Sequence, residues 1–395
     1  MERNKTYPLS FWLLCLNMLV FMTSFNILIP ELNDYLTSIG GEDYKWMILG
    51  LWTIAAGIAR PFSGKIADNF GRKKTLYIGV VVSVIISFLY PVFTTVVGFL
   101  FLRFLHGFST GFQPTGATAL VADVVPANKR GEAMGIFSLT ISVGFGVGNF
   151  ISSSVFGVIG INGLFYSSAL MGIVALMTIP FIEESNKTKT LVKWRNIIPK
   201  LNEVVAPEVF HPAVIMFLTA MVGGIYFLII PDFSKHLGLT NKGMFYGFTT
   251  ITTIFVRLFA GRAADKYGRV LNLYVGLSLM LIALFTSFIA TTPEILMLGG
   301  GIYGISTGII TPSLFAWTTD LADPKFKGRG MGTLFIALEF GIFAGTYGAQ
   351  LVYKNNPALF SRAFLLGITL IIVALLYLSL RTFLTKGRLN GKLHL

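Results

Sequence analysis

The chain of 395 residues is 54% hydrophobic and only 12% charged, with 36 Phe. Soluble domains carry about 25% charged residues, so the composition argues against a soluble enzyme and indicates a protein solvated mainly by lipid. The single cysteine, Cys15, excludes an intrachain disulfide. A net charge of +13 could indicate nucleic-acid binding, but the distribution of the charges along the chain argues against it.

Twelve apolar stretches follow one another along the chain, each near the length of about 20 residues that an α-helix needs to cross a bilayer. They cover residues 9–30, 44–67, 74–94, 97–122, 131–158, 163–181, 211–231, 243–263, 270–290, 294–319, 329–352 and 360–381. The short alternating segments of a β-barrel are absent from the sequence. We therefore predict an all-α membrane protein with 12 transmembrane helices.

The basic residues are distributed unevenly between the two sets of loops. With the N-terminus in the cytoplasm, 5 of the 31 Lys and Arg residues lie outside, 3 lie within helices, and the other 23 face the cytoplasm. This is the positive-inside pattern, which predicts that both termini are cytoplasmic. The basic charge is then a signal of topology, and we expect a lipid bilayer rather than nucleic acid as the partner.

The longest polar interval, residues 183–209, separates the sixth and seventh predicted helices. It is basic, and its length excludes a catalytic domain inserted there. It predicts a cytoplasmic linker between an N-terminal bundle of six helices, residues 1–182, and a C-terminal bundle of six helices, residues 210–395.

The two halves are copies of one module. The segment Gly64 to Arg72 recurs as Gly261 to Arg269, at an offset of 197 residues, and the same offset places Gly107 on Gly304. In a membrane chain, a repeat of this length predicts two parallel bundles related by a pseudo-twofold axis along the membrane normal, with the substrate between them.

The motif Gly-x-x-x-Asp-x-x-Gly-Arg-Lys stands between the second and third predicted helices, and a degenerate copy stands between the eighth and ninth. With twelve helices and a basic central loop, the chain resembles the major facilitator superfamily over nearly its whole length. The resemblance implies that the motif gates the transporter, with its aspartate facing the N-terminus of the eleventh helix near residues 328–331. The gating residues predicted in this way are Gly64, Asp68, Gly71, Arg72, Lys73, Asp265 and Arg269.

Three ionisable residues within the predicted helices are candidates for proton coupling. Arg103 and His106 lie in the fourth helix, and Glu339 is the one acidic residue deep inside any predicted span. Such residues usually face a bundle interior or a wet cavity, and we expect Arg103 to be the charge that opposes Glu339. The alternatives are that Arg103 binds backbone carbonyls as a structural clasp and that Glu339 is a hydrogen-bonded packing residue.

Polar and aromatic residues on helical faces predict the wall of a substrate cavity. The candidates are Asn17, Ser24, Gln113, Asn149, Tyr226, Thr253, Tyr303 and Thr307. The positions in the second half that match His106 and Gln113 are Tyr303 and Ile310, so one wall is expected to be polar and the other aromatic and apolar. This suits an amphipathic substrate.

The resemblance is strongest to the 12-helix drug and metabolite proton antiporters, although Gly144 to Asn149 lacks the Gly-Pro step of that group. We predict proton-coupled export of an amphipathic small molecule by a monomer in the plasma membrane or bacterial inner membrane. The alternatives are a carrier of sugars or organic anions and a membrane receptor or assembly factor that does not transport. Enzyme motifs are absent, so no catalytic residue, cofactor or metal is expected.

Overall fold

The computed structural model describes residues 7–126, 129–184, 204–323 and 327–391, which form helices joined by short turns. The first bundle comprises α1 (Leu9–Asn26), α2 (Ile29–Ser38), α3 (Lys45–Phe70), α4 (Arg72–Leu89), α5 (Val96–Val124) and α6 (Arg130–Thr178). The second comprises α7 (Phe210–His236), α8 (Met244–Tyr267), α9 (Arg269–Phe288), α10 (Pro293–Leu321), α11 (Lys327–Tyr353) and α12 (Phe360–Gly391). The predicted all-α fold is confirmed.

Two predicted spans differ in their helix boundaries. The first is longer than predicted: α1 ends at Asn26, and α2 then carries the same apolar segment on to Ser38. Pro30 stands in the first turn of α2, where its missing N–H removes no helical hydrogen bond. The fifth and sixth spans form the single helix α6, which Gly160 interrupts with φ 66° and ψ −172°. A backbone with positive φ is accessible to glycine at little cost, so the chain reverses there.

Seven continuous segments of the described chain are long and apolar enough to cross a membrane by composition alone, and one of them is α6 with its two spans. Helices such as α3 and α8 carry several charged residues, including Arg60 and Arg257. Those charges lower the hydropathy of the helices that form the contact between the bundles. Many large apolar side chains elsewhere are exposed, as Val97 and Phe383 are, which fits a surface that faces lipid.

Glycines set the helix packing in the same way in both bundles. A Cβ at Gly144 or Gly148 would meet backbone of α1, and a Cβ at Gly341 or Gly345 would meet backbone of α7. These positions are related by the offset of 197 residues. Small residues let membrane helices approach closely, so the duplicated glycines produce the pseudo-twofold arrangement of the bundles.

The predicted linker, residues 183–209, falls mostly outside the described part of the chain, which ends at Glu184 and resumes at Val204. We call the end of the molecule with residues 39–44, 237–243 and 354–356 the outer end, following the predicted orientation. The opposite end, with residues 71, 184 and 204, is the inner end.

Candidate functional site

The two bundles meet along two helix pairs, α3 with α11 and α6 with α8. In the first pair, Gly50 lies against the ring of Phe343, and Gly57 lies against the side chain of Glu339. In the second pair, Gly247 lies against the ring of Phe150. These surfaces have to separate if the bundles move, so polar groups within them are candidates for coupling and gating.

A buried ion pair joins the bundles in the first surface. Arg60 of α3 donates to one carboxylate oxygen of Glu339 of α11, from Nη2 at 2.6 Å and from Nε at 3.1 Å. Glu339 is 4% exposed. The guanidinium also lies 4.5 Å above the ring of Phe335. The cation beside Glu339 is therefore Arg60, a residue that sequence reasoning placed within a helix without giving it a role.

The second surface contains another arginine, with a different partner. Arg257 of α8 donates from Nη1 to the Ser142 hydroxyl of α6 at 2.7 Å. Its Nε is buried and has no hydrogen-bond partner among the residues that the structure describes. The Ser142 hydroxyl in turn donates to the Ser138 carbonyl at 3.3 Å.

Arg103 and His106 lie inside the first bundle instead of between the bundles. Arg103 is fully buried and donates from Nε to the Ile48 carbonyl at 2.9 Å and from Nη1 to the Tyr90 hydroxyl at 3.3 Å. The Nδ1 atom of His106 lies 3.0 Å from the Tyr90 hydroxyl, and its Nε2 atom lies 3.0 Å from the Ser83 hydroxyl. The structure does not pair Arg103 with Glu339 as expected. The face of α5 that carries Arg103 packs on α3 and α4 of its own bundle.

The eight cavity candidates form separate groups. Asn17 donates to the Ala175 carbonyl at 2.7 Å and accepts from Gln113 at 2.8 Å, all within the first bundle. Ser24 donates to the Phe21 carbonyl of its own helix at 2.7 Å. Both side-chain networks are fully buried, so the predicted polar wall is the packed interior of the first bundle in this conformation.

The remaining candidates lie nearer the second bundle or the contact between the bundles. Asn149 donates to Asn26 at 3.3 Å, near the outer end of the surface between α6 and α8. The rings of Tyr226 and Tyr303 lie 4.4 Å apart. Thr253 donates to the Gly304 carbonyl at 2.9 Å, and its hydroxyl lies 3.3 Å from that of Thr307. Of these five candidates, Tyr303 and Thr307 are partly exposed.

Two lysines close the outer end, and sequence reasoning missed both pairings. Lys45 lies 2.8 Å from Asp232 of the other bundle, and Asp232 also accepts from Asn33 at 3.2 Å and Tyr353 at 3.2 Å. Lys242 lies 2.6 Å from Glu31 and 2.8 Å from Asp34, again across the bundles. Lys45 and Lys242 are 197 residues apart, so the repeat offset was a signal that could have found them.

The loop residue Lys242 is stabilised in its charged form. Burial by itself would lower the pKa of its ammonium, but the hydrogen bonds to Asp34 and Glu31 raise that pKa above its ordinary value. Its contribution to the closed outer end is therefore fully present below the ordinary pKa of lysine, about 10.4, and is lost only as the pH rises through the higher folded value. Lys242 therefore remains charged at every physiological pH.

The gating motif forms a tight loop at the inner end. Gly71 has φ 115°, and the Glu184 carboxylate accepts from the backbone N–H of Arg72 at 3.3 Å and of Lys73 at 3.0 Å. Arg72 pairs with Asp123. The equivalent pair in the second half joins Arg269 to Asp320 at 3.3 Å. Gly64 faces open space, while the side chains of Asp68 and Asp265 lie outside the described part of the structure.

Comparison with known proteins identifies the family. A model of the Major Facilitator Superfamily matches residues 11–346 and again residues 212–392. The chain belongs to this superfamily. Its members are transporters, so the chain is a multi-pass membrane transporter that acts on small molecules. In the described part of the chain, no cluster of His, Cys, Asp and Glu could hold a metal ion.

Several relatives carry names from drug resistance. The chain is 26% identical over 372 residues to "Multidrug resistance protein 2" of Bacillus subtilis, covering 89% of this chain and 91% of that protein. It is 23% identical over 332 residues to an uncharacterised transporter of Methanocaldococcus jannaschii, covering 82% and 86%. It is 26% identical over 219 residues to a quinolone resistance protein of Staphylococcus aureus, covering 54% and 55%.

Solved structures show the same fold. The human organic anion transporter MFSD10 superimposes with a TM-score of 0.74 at 17% identity, covering 94% of this chain and 100% of that one. A D-xylose-proton symporter superimposes with a TM-score of 0.78 at 16% identity, covering 93% and 96%. At these identities the likeness establishes the fold and leaves the substrate undetermined.

Proposed function

We propose that the chain exports an amphipathic small molecule in exchange for protons, by alternating access between its two bundles. The observation that carries this proposal is the buried pair of Arg60 and Glu339, which joins the bundles across α3 and α11. The names of the relatives in Bacillus subtilis and Staphylococcus aureus support export of drug-like molecules.

Glu339 has the properties of a proton-coupling group. Its carboxylate is buried and its cation belongs to the other bundle. When the surface between α3 and α11 opens, the carboxylate loses that cation. A nearby cation favours the ionised form of a carboxyl group, so loss of Arg60 favours binding of a proton. Binding of a proton to Glu339 and separation of the bundles would therefore favour each other, which is the linkage that an antiporter requires.

The conformation supports loading of substrate from the inner end. Cross-bundle pairs made by Lys45 and Lys242 hold the outer end together. On the helices that face the other bundle, added side-chain carbons at Gly50, Gly57 and Gly247 would meet that bundle, whereas those at Gly64, Gly135 and Gly332, nearer the inner end, would meet open space. We infer that this is an inward-facing state with Glu339 deprotonated and paired, ready to accept substrate from the cytoplasm.

The test uses the purified transporter in proteoliposomes with a fluorescent quinolone as substrate. Glu339→Gln is expected to abolish accumulation driven by a pH gradient while retaining exchange of substrate at equal pH. The matched control is Glu294→Gln, at an exposed position at the start of α10. If Glu339→Gln still accumulates substrate against its gradient when only a proton gradient is imposed, Glu339 is a packing residue and coupling lies elsewhere.

We further propose that the protein lies in the plasma membrane or bacterial inner membrane with both termini and residues 183–209 in the cytoplasm. The support is the distribution of Lys and Arg between the loops. In intact cells, a cysteine that replaces Lys193 should be protected from an impermeant maleimide applied outside, in a Cys15→Ser background. Rapid labelling from outside would reverse the orientation.

A further inference from the structure

The two surfaces between the bundles are related by the sequence repeat, but their polar groups differ. The offset of 197 residues places Arg60 on Arg257 and Glu339 on Ser142. It also places Phe335, which stacks on the Arg60 guanidinium, on Ser138. The same arginine position is thus used twice, with a carboxylate opposite it in one surface and a hydroxyl in the other.

Among the residues that the structure describes, Arg257 consequently has no counterion in the surface between α6 and α8. Its one polar contact among the described residues is the hydroxyl of Ser142, and its buried Nε makes no hydrogen bond. A guanidinium carries five N–H donors and suits bidentate binding of a carboxylate. A partly buried cation whose charge is not compensated lowers stability, and an anionic ligand would supply the negative charge that the described residues do not.

An apolar surface lies beside this cation. Phe145 stands one helical turn from Ser142, since residues three apart on a helix are neighbours. Its ring lies 5.9 Å from that of Phe227 and 6.0 Å from that of Tyr246. Phe145 and Phe227 are partly exposed. An anionic group at Arg257 would therefore place an attached ring or chain against this aromatic cluster.

We infer that Arg257 binds the carboxylate of the transported molecule in the position that Glu339 occupies in the related surface. Ser142 holds the guanidinium in place, and the rings of Phe145 and Phe227, which pack on buried Tyr246, receive the apolar part of the substrate. The substrate class is an amphipathic organic carboxylate. This inference rests on the proposed transport function, because it assigns the substrate to the surface between α6 and α8 that joins the bundles.

The test compares two probes of nearly the same shape, 1-naphthaleneacetate and the neutral 1-naphthaleneacetamide. Binding to the purified protein is measured by thermal stabilisation, and transport is measured in proteoliposomes. Wild type should prefer the carboxylate by about 10- to 100-fold, because a hydrogen bond to a charged group is worth about 1.5 to 3 kcal/mol and each factor of ten is about 1.4 kcal/mol. Arg257→Gln should remove that preference, and Arg257→Lys should retain part of it.

The repeat supplies a second variant. Ser142→Glu places a carboxylate opposite Arg257, as Glu339 stands opposite Arg60, and should block the acid probe while the protein stays folded. Arg362→Gln, at an exposed position of α12, controls for loss of one positive charge. The inference is overturned if wild type binds the two probes equally or binds neither, or if Arg257→Gln or Ser142→Glu leaves the preference for the acid intact.

These outcomes separate the two proposals. A preference for the acid that disappears in Arg257→Gln supports this site, whatever Glu339→Gln does to proton-driven accumulation. Conversely, loss of proton-driven quinolone accumulation in Glu339→Gln together with an unchanged acid preference in Arg257→Gln would leave the exchange mechanism standing and remove the carboxylate site.

Discussion

The surface between α3 and α11 and its repeat-related counterpart between α6 and α8 have similar backbone packing and different charge. The first contains the complete ion pair of Arg60 and Glu339, and the second contains Arg257 with a serine. A duplicated scaffold can therefore divide two tasks between equivalent positions. We expect the complete pair to respond to protons and the incomplete pair to respond to an anionic ligand.

The largest expected difference between the surfaces is in stability. Arg60→Gln leaves the Glu339 carboxylate buried without its cation, and breaking a buried pair costs about 3 to 5 kcal/mol. Arg257→Gln removes a cation that no described carboxylate needs, so it should change stability by less than about 1 kcal/mol. The measurement is the midpoint of thermal unfolding in detergent, at a pH where Glu339 is ionised in wild type.

The double variant Arg60→Gln with Glu339→Gln sharpens this comparison. Replacing both partners by neutral groups leaves no unpaired charge, and a buried pair replaced as a whole is often neutral for stability. The double variant should therefore recover most of what Arg60→Gln loses. Equal destabilisation by Arg60→Gln and Arg257→Gln would show that the two arginines play the same packing role.

The sequence predicted the twelve spans, the duplicated bundles and the buried position of Glu339, because each depends on local hydrophobicity or on the repeat. It did not predict the partner of Glu339, since Arg60 lies 279 residues away and helical periodicity does not show which bundle a face contacts. Arg103 illustrates this limit: its polar face was correctly expected to be buried, but it is buried within its own bundle.

The outer ion pairs were missed for a different reason. The first span was predicted to end at residue 30, which left Glu31 and Asp34 outside it, whereas α2 carries them within the helical segment. The offset of 197 residues relates Lys45 to Lys242 and Arg60 to Arg257. Comparing charged residues across the repeat would have indicated both sets of positions, although their partners still require the three-dimensional contacts.

The two lysines at the outer end, Lys45 and Lys242, are expected to differ in how strongly they hold the bundles together. Lys242→Gln removes two cross-bundle ion pairs at once, from Glu31, which is 2% exposed and keeps a hydrogen bond from Ser153, and from Asp34, which keeps Lys235. Lys45→Gln leaves Asp232 with hydrogen bonds from Asn33 and Tyr353. We therefore expect Lys242→Gln to open the outer end more, by about 1 to 2 kcal/mol, which is a factor of about 5 to 30 in population.

Labelling of a buried position beneath the outer end measures this opening. Thr346 is 1% exposed and lines a small cavity between the bundles together with Asn33 and Lys45. In a Cys15→Ser background, Thr346→Cys should react with an impermeant maleimide fastest in the Lys242→Gln variant. Lys354→Gln, at an exposed outer position, is the control. A greater rate for Lys45→Gln than for Lys242→Gln would reverse the order proposed here.

The smallest expected effect concerns the two copies of the gating motif. We expect Asp68→Asn to slow transport a few-fold without loss of substrate binding, because a carboxylate facing the N-terminus of α11 contributes about 0.3 to 1 kcal/mol and biases the equilibrium between states without touching the ligand.

Asp265→Asn, in the second copy of the motif, should slow transport less. The loop after Asp68 is held by Glu184, which accepts from Arg72 and Lys73, whereas position 381 in the repeat is an arginine and Val270 replaces Lys73. An arginine cannot accept hydrogen bonds from backbone N–H groups, so Arg381 cannot repeat the contact that Glu184 makes. Initial rates in proteoliposomes and binding by thermal stabilisation test this together, and loss of both binding and transport in Asp68→Asn would place Asp68 in the substrate site.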